Sequence, residues 1–330
     1  MGRVPVARPF VYLVPHDSLQ GPEALAEHYA ALEAAAAARL RADPGLDYLG
    51  TRPARFARPM SREALARWFD PGRFLGGFET AELAIDTDAL AVEVRAALAA
   101  RPEIELLTGH DLREVERRGE GFVLSGDGPE GAFRIEARQV VNATRENLHR
   151  FDRMAGLAPA PGWLHRLKYR VLARLPERLE AAPSATLVLG PYGDVVVRPG
   201  GLSYLSWYPT GLRGWTGDLA PPADWDAPCR GEADPAVAAD VAAKALAAIG
   251  AWFPGVEAAE VAQVDAGAIL AHGRTDVDDP ASGLHGRMVS GLASRDGWHS
   301  ANPGKLTTAP LVAEAAAAAV AAEIGVEAGT

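Results

Sequence analysis

HGRMVSGLASRDGWHSANPGKLTTAPLVAEAAAAAVAAEI, residues 285–324, is the stretch whose reading decides the rest. It predicts a strand over residues 288–292, a loop rich in Gly, Asn and Pro, and a long Ala-rich helix. The loop ends in Gly304-Lys305-Leu306-Thr307-Thr308, where either threonine can N-cap the helix. A helix N-terminus entered through a glycine loop presents unpaired N–H groups and a partial positive charge. Such an end suits a phosphate, a carboxylate or the carbonyl edge of a heterocyclic ring. The threonines alone need no more than an ordinary capped helix. Lys305 shifts the reading, because the chain has three lysines against thirty arginines.

Length and composition set the bounds. At 330 residues the chain can hold two interleaved domains and a sizeable core. Its 48% hydrophobic content, with 25 prolines and 34 glycines, describes a loop-rich α/β globular protein. A formal charge of -10 argues against nucleic acid or an anionic membrane as partner. The single Cys229 excludes an internal disulfide and fits a cytoplasmic location. Residues 309–326 are long enough to raise a membrane span, but they are mostly alanine and carry Glu314 and Glu323. A packed soluble helix is the expectation.

Taken in order, the chain begins in an apolar strand (residues 10–14). A helix follows from Pro22 to about Arg41, with Leu25, Tyr29, Leu32, Ala36 and Leu40 on one face. Ser61 caps a short helix, and Gly72, Gly76 and Gly77 suggest loop before Phe78. Asp86 caps a helix to Ala100 with Leu90, Val94 and Leu98 inward. Strands are expected at 104–107, 112–116, 122–125 and 132–137, then the apolar strand Gln139-Val140-Val141-Asn142-Ala143 of a buried parallel sheet. Residues 165–209 read as antiparallel strands, with Tyr204, Ser206 and Tyr208 on one face of the last. Residues 211–228 read as loop, and Asp234-Pro235 opens a further helix.

Gly-Lys-Leu-Thr-Thr-Ala-Pro opening a C-terminal helix, with VVNA, GPYGD and YLSWYP in this order of elements, resembles the FAD-dependent oxidoreductases of the D-amino-acid oxidase / glycerol-3-phosphate dehydrogenase superfamily. The resemblance covers roughly residues 78 to 315. It implies an α/β fold with a parallel FAD-binding sheet and an antiparallel-sheet substrate domain that roofs the flavin. Residues 78–158 and 265–330 would form the flavin-binding half, and residues 1–77 and 159–264 the substrate domain. It implies FAD as cofactor and hydride transfer to the flavin from a C–H next to an amine or hydroxyl of a small polar substrate. Asn142, Ala143, Thr144 and the loop Gly304, Lys305, Leu306, Thr307 and Thr308 would contact the flavin. Lys305, with His299, would serve the chemistry by stabilising charge on the reduced ring. Tyr204, Tyr208, Arg274 and Arg287 would meet the substrate.

Each residue also has a plainer reading. A lone histidine such as His299 ordinarily makes a local hydrogen bond, single arginines are ordinarily surface residues, and sheet tyrosines are ordinarily core. The sequence departs from the family twice. The VVNA strand continues into Thr144-Arg145-Glu146-Asn147, without the usual glycine. No Gly-x-Gly-x-x-Gly follows a strand and opens a helix. The chain therefore reads as lacking the first mononucleotide-binding unit, expected in frame upstream of Met1 and leaving the purified chain colourless. Two rivals are a cofactor-less binding or scaffold descendant and one half of a split flavoprotein completed by another chain. The eight histidines show no metal-ligand spacing, so no metal is expected.

Overall fold

The computed structural model describes residues 4–7, 10–48, 50–159, 161–273, 279, 281–282 and 290–325. In chain order the first strands are β1 (Val6–Ala7), β2 (Phe10–Pro15), β3 (Ala57–Pro59), β4 (Phe74–Thr80) and β5 (Ala84–Ile85). Then come β6 (Asp111–Arg118), β7 (Gly121–Gly128), β8 (Gly131–Ala137), β9 (Val140–Asn142), β10 (Trp163–Arg174) and β11 (Ser184–Leu187). The last are β12 (Gly193–Val196), β13 (Ser203–Trp207), β14 (Leu212–Thr216), β15 (Glu260–His272), β16 (Gly291–Arg295) and β17 (Trp298–Asn302). The helices are α1 (Pro22–Ala42), α2 (Arg62–Ala66), α3 (Thr87–Ala99) and α4 (Leu148–Met154). They continue with the single turns α5 (Tyr208–Gly211) and α6 (Asp226–Cys229), then α7 (Pro235–Gly250) and α8 (Ala309–Ile324).

The chain forms two compact units. The first comprises Met1–Arg101, Lys168–Arg213 and Ala227–Ala266; the second comprises Pro102–Leu167, Gly214–Asp226 and Gly267–Thr330. Residues 78–101 thus belong with the first unit, whereas the sequence expectation divided the chain at 78.

The first unit is organised by a nine-stranded sheet in the order β14-β10-β13-β12-β11-β2-β4-β3, with β15 on β10. The pairs β10–β13, β12–β13, β11–β12, β2–β4 and β3–β4 are antiparallel, and β2–β11 is parallel. One face is apolar and dry: Val11, Leu13, Val171, Ala185, Val195 and Leu205 are buried. Each valine or leucine taken wholly out of water contributes about 1.5–3 kcal/mol. Helix α7 packs on β13 and brings Val241, Ala245 and Ile249 to the core. Its start follows from sequence, since Asp234 accepts from the N–H groups of Ala236 (2.9 Å) and Val237 (3.1 Å), with Pro235 at the first position.

Several expectations are corrected here. Gly76 and Gly77 lie inside β4 rather than in a loop. A Cβ on Gly77 would stand 3.0 Å from Leu13 Cδ2 and 3.2 Å from Met60 Sδ, so the glycine marks close packing. Residues 104–107 form no strand, and Ile104, Leu106 and Leu107 are exposed. Leu32 of α1 and Val94 of α3 are exposed as well, so these helices bury less than their periodicity suggests. The presumed loop 211–228 contains β14.

The second unit contains the antiparallel meander β6-β7-β8 and a three-stranded sheet in the order β16-β17-β9. Strand β9 runs parallel to β17, as a returning VVNA strand should, but Val141 is exposed. Val115, Phe122, Phe151, Ala155 and Trp298 form the core. The stretch expected as loop between 293 and 302 is the β16–β17 hairpin. Asp296 (φ 48) and Gly297 (φ 78) make its two-residue turn, an Asp-Gly signal that tightly joins antiparallel strands. The glycines Gly126, Gly128 and Gly131 match G-x-G-x-x-G by spacing, but they lie in the β7–β8 hairpin and open a strand.

Helix α8 buries only Val312 and Ala316. The segment Leu306–Ile324 is long and apolar enough to cross a membrane by length and composition, and α8 packs on β16 and β17 through a narrow face, with 11% of the segment buried.

Candidate functional site

Two polar constellations stand out, one in each unit. In the second unit the loop between β17 and α8 turns at Gly304, which has a φ of 69°. A side chain there would also meet Ser290 Cβ at 2.9 Å. Asn302 Oδ1 accepts from the Gly304 N–H at 3.1 Å. Residues Leu306–Thr308 form one 3₁₀ turn before α8 begins. Thr308 occupies the N-cap position but makes no capping bond through its side chain. Its hydroxyl instead donates backwards, to the carbonyls of Pro303 and of Lys305 (2.9 Å). The expected threonine cap is therefore replaced by a clasp that fixes the loop. Gly304, Lys305, Leu306, Thr307 and Thr308 are all exposed.

The other residues expected here are used internally. His299 is fully buried in β17. Its Nε2–H donates to Gln139 Oε1 (3.0 Å), and its Nδ1 accepts from the Ser294 hydroxyl (2.8 Å). A ring with both nitrogens engaged and no exposed surface has no face for a substrate, so the expected catalytic role of His299 gives way to a structural one. Asn142 is likewise buried, donating to Leu148 O (2.9 Å) and accepting from the Thr144 hydroxyl (2.7 Å). Ala143 and Thr144 are exposed, leaving backbone as their main offering. Where the family places glycine, Arg145 adopts a φ of 54°, the left-handed conformation glycine takes more easily. Arg274 and Arg287 lie outside the described residues.

Sequence reasoning missed the hub beneath this loop. Asp152, on α4, is buried. Its Oδ1 accepts from Asn142 Nδ2 (2.8 Å) and Trp298 Nε1 (2.8 Å), and its Oδ2 accepts from Ser300 Oγ (2.7 Å). One carboxylate thus ties α4 to β9 and β17. The signal available was an acid on the apolar face of LHRFDRM.

His149, one turn earlier, is buried with both ring nitrogens lacking hydrogen-bond partners. Its Nδ1 stands 4.0 Å from Asp152 Oδ2, too far for a hydrogen bond. Burial lowers its pKa, with Asp152 opposing and His165 adding to the shift. The folded state therefore holds the neutral ring, and the unfolded chain takes up the proton first. The stability that results is full above about pH 6.5 and is lost as pH falls through the lower folded pKa. The urea midpoint of the second unit should fall between pH 7 and pH 5. His149→Phe should flatten that fall, and an equally steep fall in the variant would assign it to other groups.

In the first unit the second sheet face is polar. Cross-strand register sets Tyr12 beside Thr186, Thr186 beside Asp194, and Asp194 beside Ser206. Tyr204 lies beside Val196 and Leu172. Lys168 and Arg170 share this face with Leu172 by the period of two. The Lys168 ammonium sits 5.1 Å from the centre of the Tyr208 ring, and the Arg170 guanidinium 6.0 Å from that of Tyr204. Arg170 is held by a two-pronged bond to Asp265 (2.6 and 3.1 Å), which also accepts from Gln263 (2.9 Å). The Tyr12 hydroxyl donates to Glu82. Burial raises the Asp194 pKa while Lys168 pulls it down, and burial lowers the Lys168 pKa while Asp194 pulls it up. Burial also pushes the Tyr204 phenol up. Tyr204 lies on this face of β13, whereas Tyr208, expected on the same strand, begins the helical turn α5 just beyond it.

No family model matches the sequence, and no curated protein does. Solved structures share the fold at low identity. A glycine oxidase from Geobacillus kaustophilus superposes with a TM-score of 0.61 at 16% identity, over 96% of this chain and 72% of that one. An L-proline dehydrogenase from P.horikoshii does so at 0.59 and 13%, over 98% and 74%. A dithionite-reduced L-alpha-glycerophosphate oxidase from Mycoplasma pneumoniae, with FAD bound, does so at 0.57 and 12%, over 96% and 74%. The chain has the mixed α/β, D-amino-acid-oxidase-like fold of these proteins.

Proposed function

We propose that the protein is an FAD-dependent oxidoreductase that oxidises a C–H bond next to an amine or hydroxyl of a small polar substrate. The observation that carries this is the combination of that fold along nearly the whole chain with a parallel β9–β17 pair feeding, through Gly304, the start of α8. The loop donors fit the electron-rich edge of a flavin ring. They comprise the first N–H groups of the turn and the exposed Lys305 side chain. A phosphate-binding G-x-G-x-x-G helix is not offered, since the glycines with that spacing form a hairpin. Gly304, Lys305, Leu306, Thr307 and Thr308 would hold the ring edge, with the Ala143–Thr144 backbone as a second contact. The bound flavin would supply a hydride acceptor. Lys305 would stabilise negative charge at that edge, and Tyr204 and Tyr208 would contact substrate. His299 orders β17 and takes no part in the chemistry. A soluble, cytoplasmic enzyme is the setting favoured by the lone Cys229 and the acidic composition.

A flavin-free binding protein is the second reading, favoured by the hairpin position of the glycine motif. The two are separated by adding FAD to the chain expressed together with the upstream strand–GxGxxG–helix unit that the sequence reading expects, and recording its spectrum and reduction potential. Lys305→Met is expected to lower the potential of the bound flavin and slow its reduction. A charge-assisted contact is worth about 1.5–3 kcal/mol. The fold should survive, since the Thr308 clasp is untouched. An unchanged potential would remove Lys305 from the site, and no flavin uptake at all would favour the second reading.

A further inference from the structure

The β6–β7–β8 meander of the second unit carries a cavity of about 510 Å³, within the range of small-molecule sites. Arg118, Gly121, Val123, Glu136 and Arg138 line it, and the Gly304 loop does not. Strand register explains its shape. Arg118 is the cross-strand partner of Gly121, and the pairing of Phe122 with Ala137 sets Arg138 level with Gly121 on the other side. Gly121 has no side chain to fill the space between them, and a Cβ there would stand 2.6 Å from the Ala137 carbonyl oxygen. The two arginines thus stand two strand spacings apart, about 9–10 Å between backbones, on either side of bare main chain. Both side chains are long enough to reach a common group in that space. Glu136 is the one acid lining the cavity, and its Oε1 already accepts from Arg134 Nη1 at 2.8 Å. Arg118 Nη1 is 3.9 Å from the same oxygen, too far for a hydrogen bond. Arg138 is exposed and has no acidic partner among the described residues.

We propose that this notch binds the phosphate group of a small phosphate monoester, held between the guanidiniums of Arg118 and Arg138. A guanidinium presents its donors as a planar fork that matches two oxygens of one group. A carboxylate has only two oxygens, and one fork satisfies it. A phosphate has the oxygens and the charge for both forks. The forks rise from paired strands, so their separation is fixed, and the cavity beyond the phosphate leaves room for the organic part beside Val123. Arg134 offsets the one opposing charge, that of Glu136. The site is independent of flavin chemistry, so neither reading of the Gly304 loop decides it.

The test is isothermal titration of the full chain with phenyl phosphate, inorganic phosphate and benzoate, in about 0.1 M salt so that distant charges are screened. Each phosphate should bind at least about fivefold more tightly than benzoate, because only a phosphate engages the second fork. Tighter binding of phenyl phosphate than of inorganic phosphate supports the ester as ligand, and the reverse order would replace the ester by the free ion. Arg118→Gln and Arg138→Gln should each weaken phenyl phosphate about fivefold to tenfold. Arg95→Gln, which removes the same charge from α3 of the first unit, should leave the affinity within about twofold. Glu136→Gln should tighten binding about threefold, since it removes the opposing charge. The substituted side chains are exposed, so the variants should keep the wild-type unfolding midpoint. If one does not, the amide NMR shifts of Gly121 and Arg138 in the wild type decide, since phenyl phosphate should move both. No heat and no amide shift with either phosphate, benzoate binding as tightly, or Arg138→Gln behaving like Arg95→Gln would overturn the notch.

Discussion

Asp152→Ala should cost the second unit about 3–5 kcal/mol, a large part of the 5–15 kcal/mol that holds a typical domain folded. The substitution leaves the Asn142 amide, the Trp298 indole N–H and the Ser300 hydroxyl without their shared acceptor, all in a buried setting. Each unmet donor costs about 1–3 kcal/mol, and the three are not independent. Asp152→Asn keeps the volume and one acceptor oxygen but turns an amide N–H₂ toward donors, for a smaller loss of about 2 kcal/mol. Urea unfolding read by hydrogen exchange in the β6–β8 meander and β17 measures both. A loss below about 1 kcal/mol for the alanine variant would mean that the three donors find water or each other instead.

Gly193→Ala should be of similar size in the first unit, for a steric reason. Gly193 pairs with Trp207 at the start of β12. A Cβ there would lie 1.7 Å from the carbonyl oxygen of Ser206 and 2.6 Å from its carbon. These are backbone atoms in a paired strand, so relief requires β12 and β13 to separate. About 3–5 kcal/mol is expected, together with loss of the Asp194–Ser206 juxtaposition. Gly267→Ala is the control: nothing lies within 4 Å of its Cβ and its φ is ordinary, so the change should stay within about 0.5 kcal/mol. Near-neutral behaviour of Gly193→Ala in thermal unfolding would show that the strand ends yield more easily than the sheet register implies.

What could be read from the sequence follows from where local rules and tertiary packing agree. Asp86, Ser61 and Asp234 cap helices as their side chains demand, because a cap is satisfied by atoms two or three residues away. The meander was legible because alternation and glycine turns act over short range. The fold class was legible through VVNA and the final loop, which lie where a parallel strand and a helix start. Gly76 and Gly77 misled because glycine marks either a turn or close packing, and the choice depends on Leu13, some sixty residues distant. Residues 104–107 misled because an apolar run becomes a strand only when another strand pairs with it. The site was legible in part. Period two placed Tyr204 and Ser206 on one face of β13 but carried the strand on to Tyr208, which begins a helical turn, whereas Lys168, Asp194 and Asp152 matter through neighbours on other strands and helices. His299 was misjudged because its partners, Gln139 and Ser294, declare themselves only once β17 is seated between β9 and β16.

Helix α8 has a bearing on how unfolding of this protein is to be observed. With Val312 and Ala316 as its only buried residues, it draws its order from within: alanine loses no side-chain freedom on coiling, and Gly325 closes the end at a φ of 74°. A sixteen-residue helix of this kind is marginal by itself, forming and fraying without a sharp transition. Its amides will therefore open independently of those in β17, and the peptide backbone signal of the whole chain will mix a gradual loss with a cooperative one. Far-ultraviolet ellipticity will start to decline before the aromatic signal of Trp298 and Phe122 does, so the two probes need not share a midpoint even when the core melts in a single step.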